Sequence, residues 1–375
     1  MATSILGVSG GTGQFSAHQI KHVNGEVMHV SMSIPSLAGL GIAPSFKNLV
    51  TGKVEKPHTV SVKDGDTINQ YSVGRKDYSD VVHGKTRLYN GINVALTTAV
   101  MRAMGIPNND GIILAVAIPT EYFYTKNGKE KVEDTELTNK IKRSYTEMML
   151  NYRVEKVVVY PEATPPLFSW FFTTNGVLIP ERYEVGNSIL SVDIGANTVE
   201  LARTTLISGQ PIRTDSDFET SISNAGVRGT DSFLSQFVCD LFRSQGVQID
   251  CLNPFQLDAI YNDKRLTIKG KVVDCKPLII KAFNSQANKI HNALLEHVEP
   301  NDYNDLPISG GGAVVFRKPL QEWLPTATIR DHKATADGLV IAALLEAKRL
   351  VKDAGYAGAA KTVYGTLEAL RQMYG

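Results

Sequence analysis

The feature that most constrains this chain lies near its start. An apolar run, Ser4 to Val8, enters the stretch Ser9-Gly10-Gly11-Thr12-Gly13-Gln14, and an Asn24-Gly25 pair closes the next extended run, Phe15 to Val23. Asn-Gly tolerates the positive φ of a tight hairpin turn and is the strongest short-range hairpin signal. The glycine loop is therefore expected to join two strands, with a third from Glu26 to Met32. Too little chain separates Gly13 from Asn24 for a crossover helix and a returning strand. That weighs against Gly7-x-x-Gly10-x-x-Gly13 as a dinucleotide loop, which needs a helix N-terminus at the pyrophosphate and an acidic residue about 20 positions on. It also weighs against Gly7-Val8-Ser9-Gly10-Gly11 as a nucleophile elbow, because a strand-to-helix turn is missing and no earlier strands build an oxyanion hole. A phosphate-gripping hairpin is the third reading.

The rest of the chain alternates strand and helix signals. Asn90 to Met104 reads as a helix capped by Asn90 and stopped by Gly105 and Pro107. Ile112 to Ile118 and Val154 to Tyr160 read as buried strands, with a helix near Asp134 to Leu150 between them. The pattern then restarts. Ile189 to Asp193 is a strand, Asp193-Ile-Gly-Ala-Asn-Thr198 a turn, and Val199 to Leu206 a strand. Phe233, Leu234, Phe237, Val238, Leu241 and Phe242 share one helix face. Helices are also expected at Ala287 to Val298, Asp337 to Val351 and Thr362 to Met373, and Leu306 to Ser309 leads into Gly310-Gly311-Gly312. A glycine turn between two strands thus occurs in each half, and the order implies mixed sheets covered by helices, an α/β protein of two domains.

Composition narrows the partners. The 375 residues carry a formal net charge of +1, so no global field recruits nucleic acid or a membrane. Three cysteines without C-x-x-C spacing argue for a reducing compartment, and no signal-peptide pattern is evident, so a cytoplasmic location is expected. The most apolar run, Gly111 to Ile118, is far short of the roughly 20 residues that span a bilayer. His18 and His22, four apart, fall on an expected strand and lie roughly 13 Å apart there. They cannot share an ion and read as ordinary surface or packing histidines.

A turn such as Asp193-x-Gly195-Ala196-Asn197-Thr198 exposes successive backbone N–H groups to phosphate oxygens, and its aspartate suits a water on Mg²⁺. Two such turns facing each other can grip one polyphosphate. Gly310, Gly311 and Gly312 let backbone approach a base or ribose closely.

These residues carry a resemblance. Asp193 to Leu201 resembles the second phosphate motif of the actin, sugar-kinase and heat-shock-chaperone superfamily, and Ile308 to Ala313 resembles its adenosine motif. Within it, plasmid-segregation actins of the ParM (StbA) type are similar: Ala117 to Phe123 to their L-P-L-T-E-Y-Y, Val157 to Pro166 to their V-K-V-M-P-E-S-I-P, Asn224 to Val227 to their "GV" loop, and Ala334 to Gly338 to a late N-x-x-G segment. The resemblance runs in order from about residue 5 to 345.

The resemblance implies a bilobed actin-like fold with two related domains, one of residues 1–185 plus 345–375 and one of residues 186–344, and a nucleotide cleft between them. It implies ATP or GTP with Mg²⁺ as cofactors, and polar head-to-tail filaments. It also implies a centromere-binding adaptor protein that contacts DNA in the filament's place, and no membrane partner. Glu162 and Asp193 match the catalytic residues, the first orienting the attacking water and the second holding Mg²⁺ through water. Phosphate contacts fall to Ser9, Gly10, Gly11, Thr12, Gly13, Gln14, Gly195, Ala196, Asn197 and Thr198, and adenosine contacts to Gly226, Gly310, Gly311 and Gly312. One departure stands out. The family's first loop reads D-x-G-x-x-x-x-K, whereas Ser9 and Ser16 occupy the aspartate and lysine positions. Loss of a carboxylate near the metal and of a cation near phosphate predicts an ATPase that binds nucleotide and turns it over slowly. The rival readings are a sugar- or acetate-type kinase on the same fold, and a nicotinamide-dependent oxidoreductase, which requires a helix after Gly13.

Overall fold

The computed structural model describes residues 3–10, 14–23, 26–47, 54–55, 58–74, 85–108, 110–127, 130–208, 212–216, 218–299 and 302–353. Gly11, Thr12 and Gly13, the Asn24-Gly25 pair and the expected helix at Thr362 to Met373 lie outside these residues.

Two five-stranded sheets dominate. The first is built from β1 (Thr3–Ser9), β2 (Gln14–Val23), β3 (Glu26–Pro35), β4 (Gly111–Ile118) and β5 (Arg153–Pro161), in the order β5-β4-β1-β2-β3. The second uses β6 (Ser188–Ile194), β7 (Thr198–Thr205), β8 (Thr220–Ser223), β9 (Leu306–Ser309) and β10 (Ala327–Ile329), in the order β8-β7-β6-β9-β10. Each sheet has an antiparallel meander, β1-β2-β3 or β6-β7-β8, whose first strand pairs parallel with a later one. The two halves have the same topology, as the repeated glycine turn implied. A strand, not a helix, begins at Gln14, and this removes the structural requirement of the nicotinamide reading.

The continuous apolar runs of the central strands follow from burial on both faces. Leu6, Val8, Ile112, Leu114 and Val116 pack on one side against α1 (Gly91–Ala103) and α2 (Thr135–Met148). Ile5, Ile113 and Ala115 pack on the other against Leu339, Val340 and Ala343. The expected Asn90 cap is present, its Oδ1 accepting from Ile92 N, and Asp134 caps α2 in the same way, its Oδ1 accepting from Leu137 N. The short α3 (Pro165–Phe171) carries prolines in its first turn, where the missing N–H costs nothing. In the second half, α4 (Gly229–Ser244) is followed by Gly246 at φ +78°.

Two helices are longer than their sequence pattern. α5 (Lys276–His297) begins eleven residues before the expected Ala287, because it changes packing partners along its length. Ala282 belongs to the cluster with Leu234, Val238 and Phe242, whereas Ala287, Ile290 and Leu294 pack on the second sheet. No single 3.6-residue stripe therefore runs through it. α6 (Ala334–Asp353) packs on β1, β2, β4 and α3, and the domain boundary expected at residue 344 falls inside it. No helix among the described residues is long and apolar enough to cross a membrane.

Candidate functional site

The C-terminal ends of β1 and β6, the first strand of each meander, face one cavity of about 380 Å³ between the two sheets. From the first half come Ser9 and Ser16, from the ends of the first hairpin, and Glu162, just past β5. From the second come Asp193, Gly195, Ala196, Glu200, Val227, Gly310, Gly311, Val314 and Val315. His332 and Thr335, at the start of α6, complete the lining. The lining combines the carboxylates Glu162, Asp193 and Glu200 with glycine and valine.

Asp193 is almost fully buried, and its Oδ2 accepts a 2.5 Å hydrogen bond from the Thr335 hydroxyl. Burial pushes its pKa up to about 6, against the lowering effect of that bond. Glu200, 1% exposed, accepts from the Thr120 backbone N–H at 3.2 Å and from the Ser221 hydroxyl at 2.7 Å. Burial raises the pKa of both Glu162 and Glu200; the nearby Glu200 raises Glu162 further and Arg87 pulls it back down, whereas hydrogen bonds from Thr120 and Ser221 act to lower Glu200. Two carboxyls of like charge in one low-dielectric cavity favour holding a proton between them.

Only some of the expected site residues meet at the cavity. Ser9, Glu162, Asp193, Gly195, Ala196, Gly310 and Gly311 line the cavity together. Gly226 and Gly312 do not line it; they act through close packing. A Cβ on Gly226 would lie 2.5 Å from the Ala196 carbonyl carbon, and one on Gly312 would lie 2.1 Å from Ile194 Cγ2. Asn197 borders a neighbouring polar cavity with Arg228 and Lys289, and Thr198 opens β7 without lining the central cavity. Gly10 is beside Phe15 and Asn93, not on the cavity wall. Gly11, Thr12 and Gly13 are outside the described residues. Gly310 has φ +90°, and a Cβ there would lie 2.2 Å from Asp193 Oδ1, so only glycine fits beside that carboxylate.

Sequence reasoning missed Glu200, Thr335 and Arg87. Glu200 sits seven residues beyond Asp193, on the same face as the turn only once the β6–β7 register pairs it directly with Asp193. Thr335 lies in the Ala334–Gly338 segment already singled out, but its partner is 142 residues away. Ser16 is buried and bonds its neighbour Ser33 at 2.8 Å, so no cation stands at that position.

No family model matches the chain, and no curated protein matches it by sequence. Solved structures do match. A 15-stranded ParM filament from Clostridium botulinum is 18% identical, with a TM-score of 0.64 over 92% of this chain and 99% of that one. The actin-like protein Alp7A is 14% identical, with a TM-score of 0.62 over 95% and 99%. An archaeal actin homolog in complex with ADP is 14% identical, with a TM-score of 0.57 over 93% and 100%. These likenesses extend over nearly the whole length of both partners in each case. With its two matching sheets and a cleft between them, this chain has the actin-like fold.

Proposed function

We propose that the chain is an actin-like ATPase that assembles into nucleotide-dependent polar filaments and serves DNA segregation, of the plasmid kind, through an adaptor protein. The observation that carries this reading is the shared cavity: two equivalent hairpins of the duplicated fold aim their turn ends at one space, beside a carboxylate cluster. The lobes are residues 1–185 with the C-terminal segment, and the intervening half.

In this reading Val227, Gly310, Gly311, Val314 and Val315 receive the base and ribose, while Gly195, Ala196 and Ser9 meet the phosphates. Glu162 orients a water in line with the γ-phosphorus. The water oxygen bonds to phosphorus, the bond to the β–γ bridging oxygen breaks, and the water's proton passes to the Glu162 carboxylate. The donor set fits Mg²⁺: the Asp193 carboxylate lines the same cavity as the Gly195–Ala196 turn, and Mg²⁺ is ordinarily bound by one or two carboxylates, waters and substrate phosphate. Asp193 would hold it through water, and when bound it supplies positive charge to the phosphates. Ser9 and Ser16 offer hydroxyls where the resemblance implies a carboxylate and a cation, so binding is retained and turnover is slow. The structural neighbours named as ParM filaments and as an ADP complex are consistent with self-assembly and with a nucleotide ligand.

Electron microscopy and light scattering with and without ATP and Mg²⁺, run beside a phosphate-release assay, test the proposal. Filaments that appear only with nucleotide support it. Phosphate transfer to a small sugar or acetate without any polymer would replace it with the kinase reading. Glu162→Ala is expected to slow phosphate release by about 10²-fold while filaments still form; unchanged release rejects its role.

A further inference from the structure

A second cluster of titratable groups lies where the start of α6 meets β2. His18 on β2 is 5% exposed, and its Nδ1 is 2.5 Å from Asp337 Oδ1 in the first turn of α6. Its Nε2 is 3.2 Å from His29 Nδ1 on β3, and His29 Nε2 is 3.3 Å from Asn175 Oδ1, in the turn after α3. The four side chains form one unbroken row from the helix to the surface. Two residues before Asp337, Thr335 donates to Asp193. The row and the cleft are therefore joined by a single helical turn.

Counting hydrogens shows what this row tolerates. Asp337 accepts from His18 Nδ1–H. If Asn175 Oδ1 accepts from His29 Nε2–H, then His18 Nε2–H donates to His29 Nδ1, and the two rings together carry three protons, balanced by the carboxylate. If the Asn175 amide turns over and donates, His29 Nδ1–H donates to His18 Nε2, and two neutral rings also complete the row. A fourth proton has no such solution, because it places N–H against N–H and two cations side by side. Burial and the adjacent His18 lower the His29 pKa below the ordinary imidazole value, with Asn175 and Asp337 acting in the opposite sense. Of the other charged groups here, Arg330 faces Asp337, and Lys348, on α6, donates to the Asn175 carbonyl.

We propose that His18, His29, Asn175 and Asp337 form an acid-sensitive clamp that holds the first turn of α6, so that Thr335 stays on Asp193 and the cleft is kept ready for nucleotide. His18 and Asp337 are positioning residues, acting on Asp193 only through Thr335. The inference rests on the nucleotide reading of the cleft. The sign follows from the lowered His29 pKa: the clamp is intact above the ordinary imidazole range and is lost as pH falls through the lowered value.

The test uses the full chain, Mg²⁺ and a fluorescent ATP analogue. Affinity is expected to fall at least about five-fold between about pH 7.5 and about pH 5.5, the span over which imidazoles titrate. His29→Gln removes the second imidazole and is expected to reduce that acid loss to the part due to Asp193 itself, with affinity near pH 7.5 within about two-fold of the original. Asp337→Asn is expected to weaken binding at every pH, and to add nothing to Thr335→Val, because both act through one bond. The same acid loss in His29→Gln, or additive effects of Asp337→Asn and Thr335→Val, overturns the clamp; should Asp337→Asn fail to fold, the His29→Gln profile decides. His29 followed by NMR in the ligand-free protein, together with amide protection at Thr335 relative to its intrinsic exchange rate, separates the two proposals. Thr335 protection that does not fall as His29 gains its proton overturns the clamp. Protection that falls with it, without analogue binding at any pH, overturns the nucleotide reading instead.

Discussion

Three carboxyls around one cavity, the buried Asp193 and Glu200 and the half-buried Glu162, set the behaviour of the site at the scale of single residues. A carboxyl whose pKa is raised on folding contributes stability that is fully present below its unfolded value and is lost as pH rises through its folded value. Burial raises Glu200, and the ligand-free protein therefore carries a strain that grows toward neutral pH. Glu200→Gln keeps an acceptor for Thr120 N–H and can donate to the Ser221 hydroxyl, without the charge. Its melting temperature is expected to exceed the parent's near pH 7.5 and to match it near pH 5, a gain on the order of 1 kcal/mol. A difference independent of pH would show that Glu200 is not held against its charge. Glu162 and Asp193, which the resemblance offered as site residues, both line the cavity. His18 was not legible in the sequence: on one strand it has no partner, and His29 reaches it only through the β2–β3 register, which pairs His18 with Ser31 and brings His29 in diagonally.

At the scale of elements, contacts between backbones are as specific as those between side chains. Gly7, in the middle of β1, faces α6 so closely that a Cβ would lie 2.2 Å from Val340 N and 2.7 Å from Ala336 O. Gly7→Ala is expected to push α6 off the sheet and cost about 2 kcal/mol in chemical denaturation, in the range for overpacked cores. Because that helix also carries Thr335 and Asp337, nucleotide affinity should fall with it. Local signals predicted the capped helices and the hairpin strands well, since caps and turns are decided by residues a few positions apart. They failed for the first half of α5, where two different neighbours cover successive faces. The helix Pro254–Asp263 begins with a capping box between Asn253 and Gln256. Asn253→Ala should lower stability by about 1 kcal/mol through loss of the bond its Oδ1 accepts from Gln256 N–H, the backbone N–H of residue 253 still donating to Gln256 Oε1, read as a shift in the denaturation midpoint.

At the scale of the whole molecule, the two halves also meet behind the cleft. Glu219, fully buried in the second half, accepts from the Tyr124 hydroxyl at 2.5 Å and from the Thr164 hydroxyl at 3.0 Å, and Thr164 lies two residues beyond Glu162. A ligand that bridges the front of the cleft adds a second tie between the halves. Mg²⁺ with ATP at about a hundred times its dissociation constant should stabilise the fold by about 2.7 kcal/mol, seen as a raised melting temperature. No shift at saturating nucleotide would contradict the cleft as its site. The sequence alone determined the elements of this protein and their duplication, because apolar period, caps and glycine turns act over short stretches of chain. Only the tertiary structure decided which carboxylates share a cavity, that Thr335 holds Asp193, and that two histidines stand in a row with Asp337. Those pairings join residues far apart in the chain, and they exist only where strand register and helix docking bring them within a hydrogen bond.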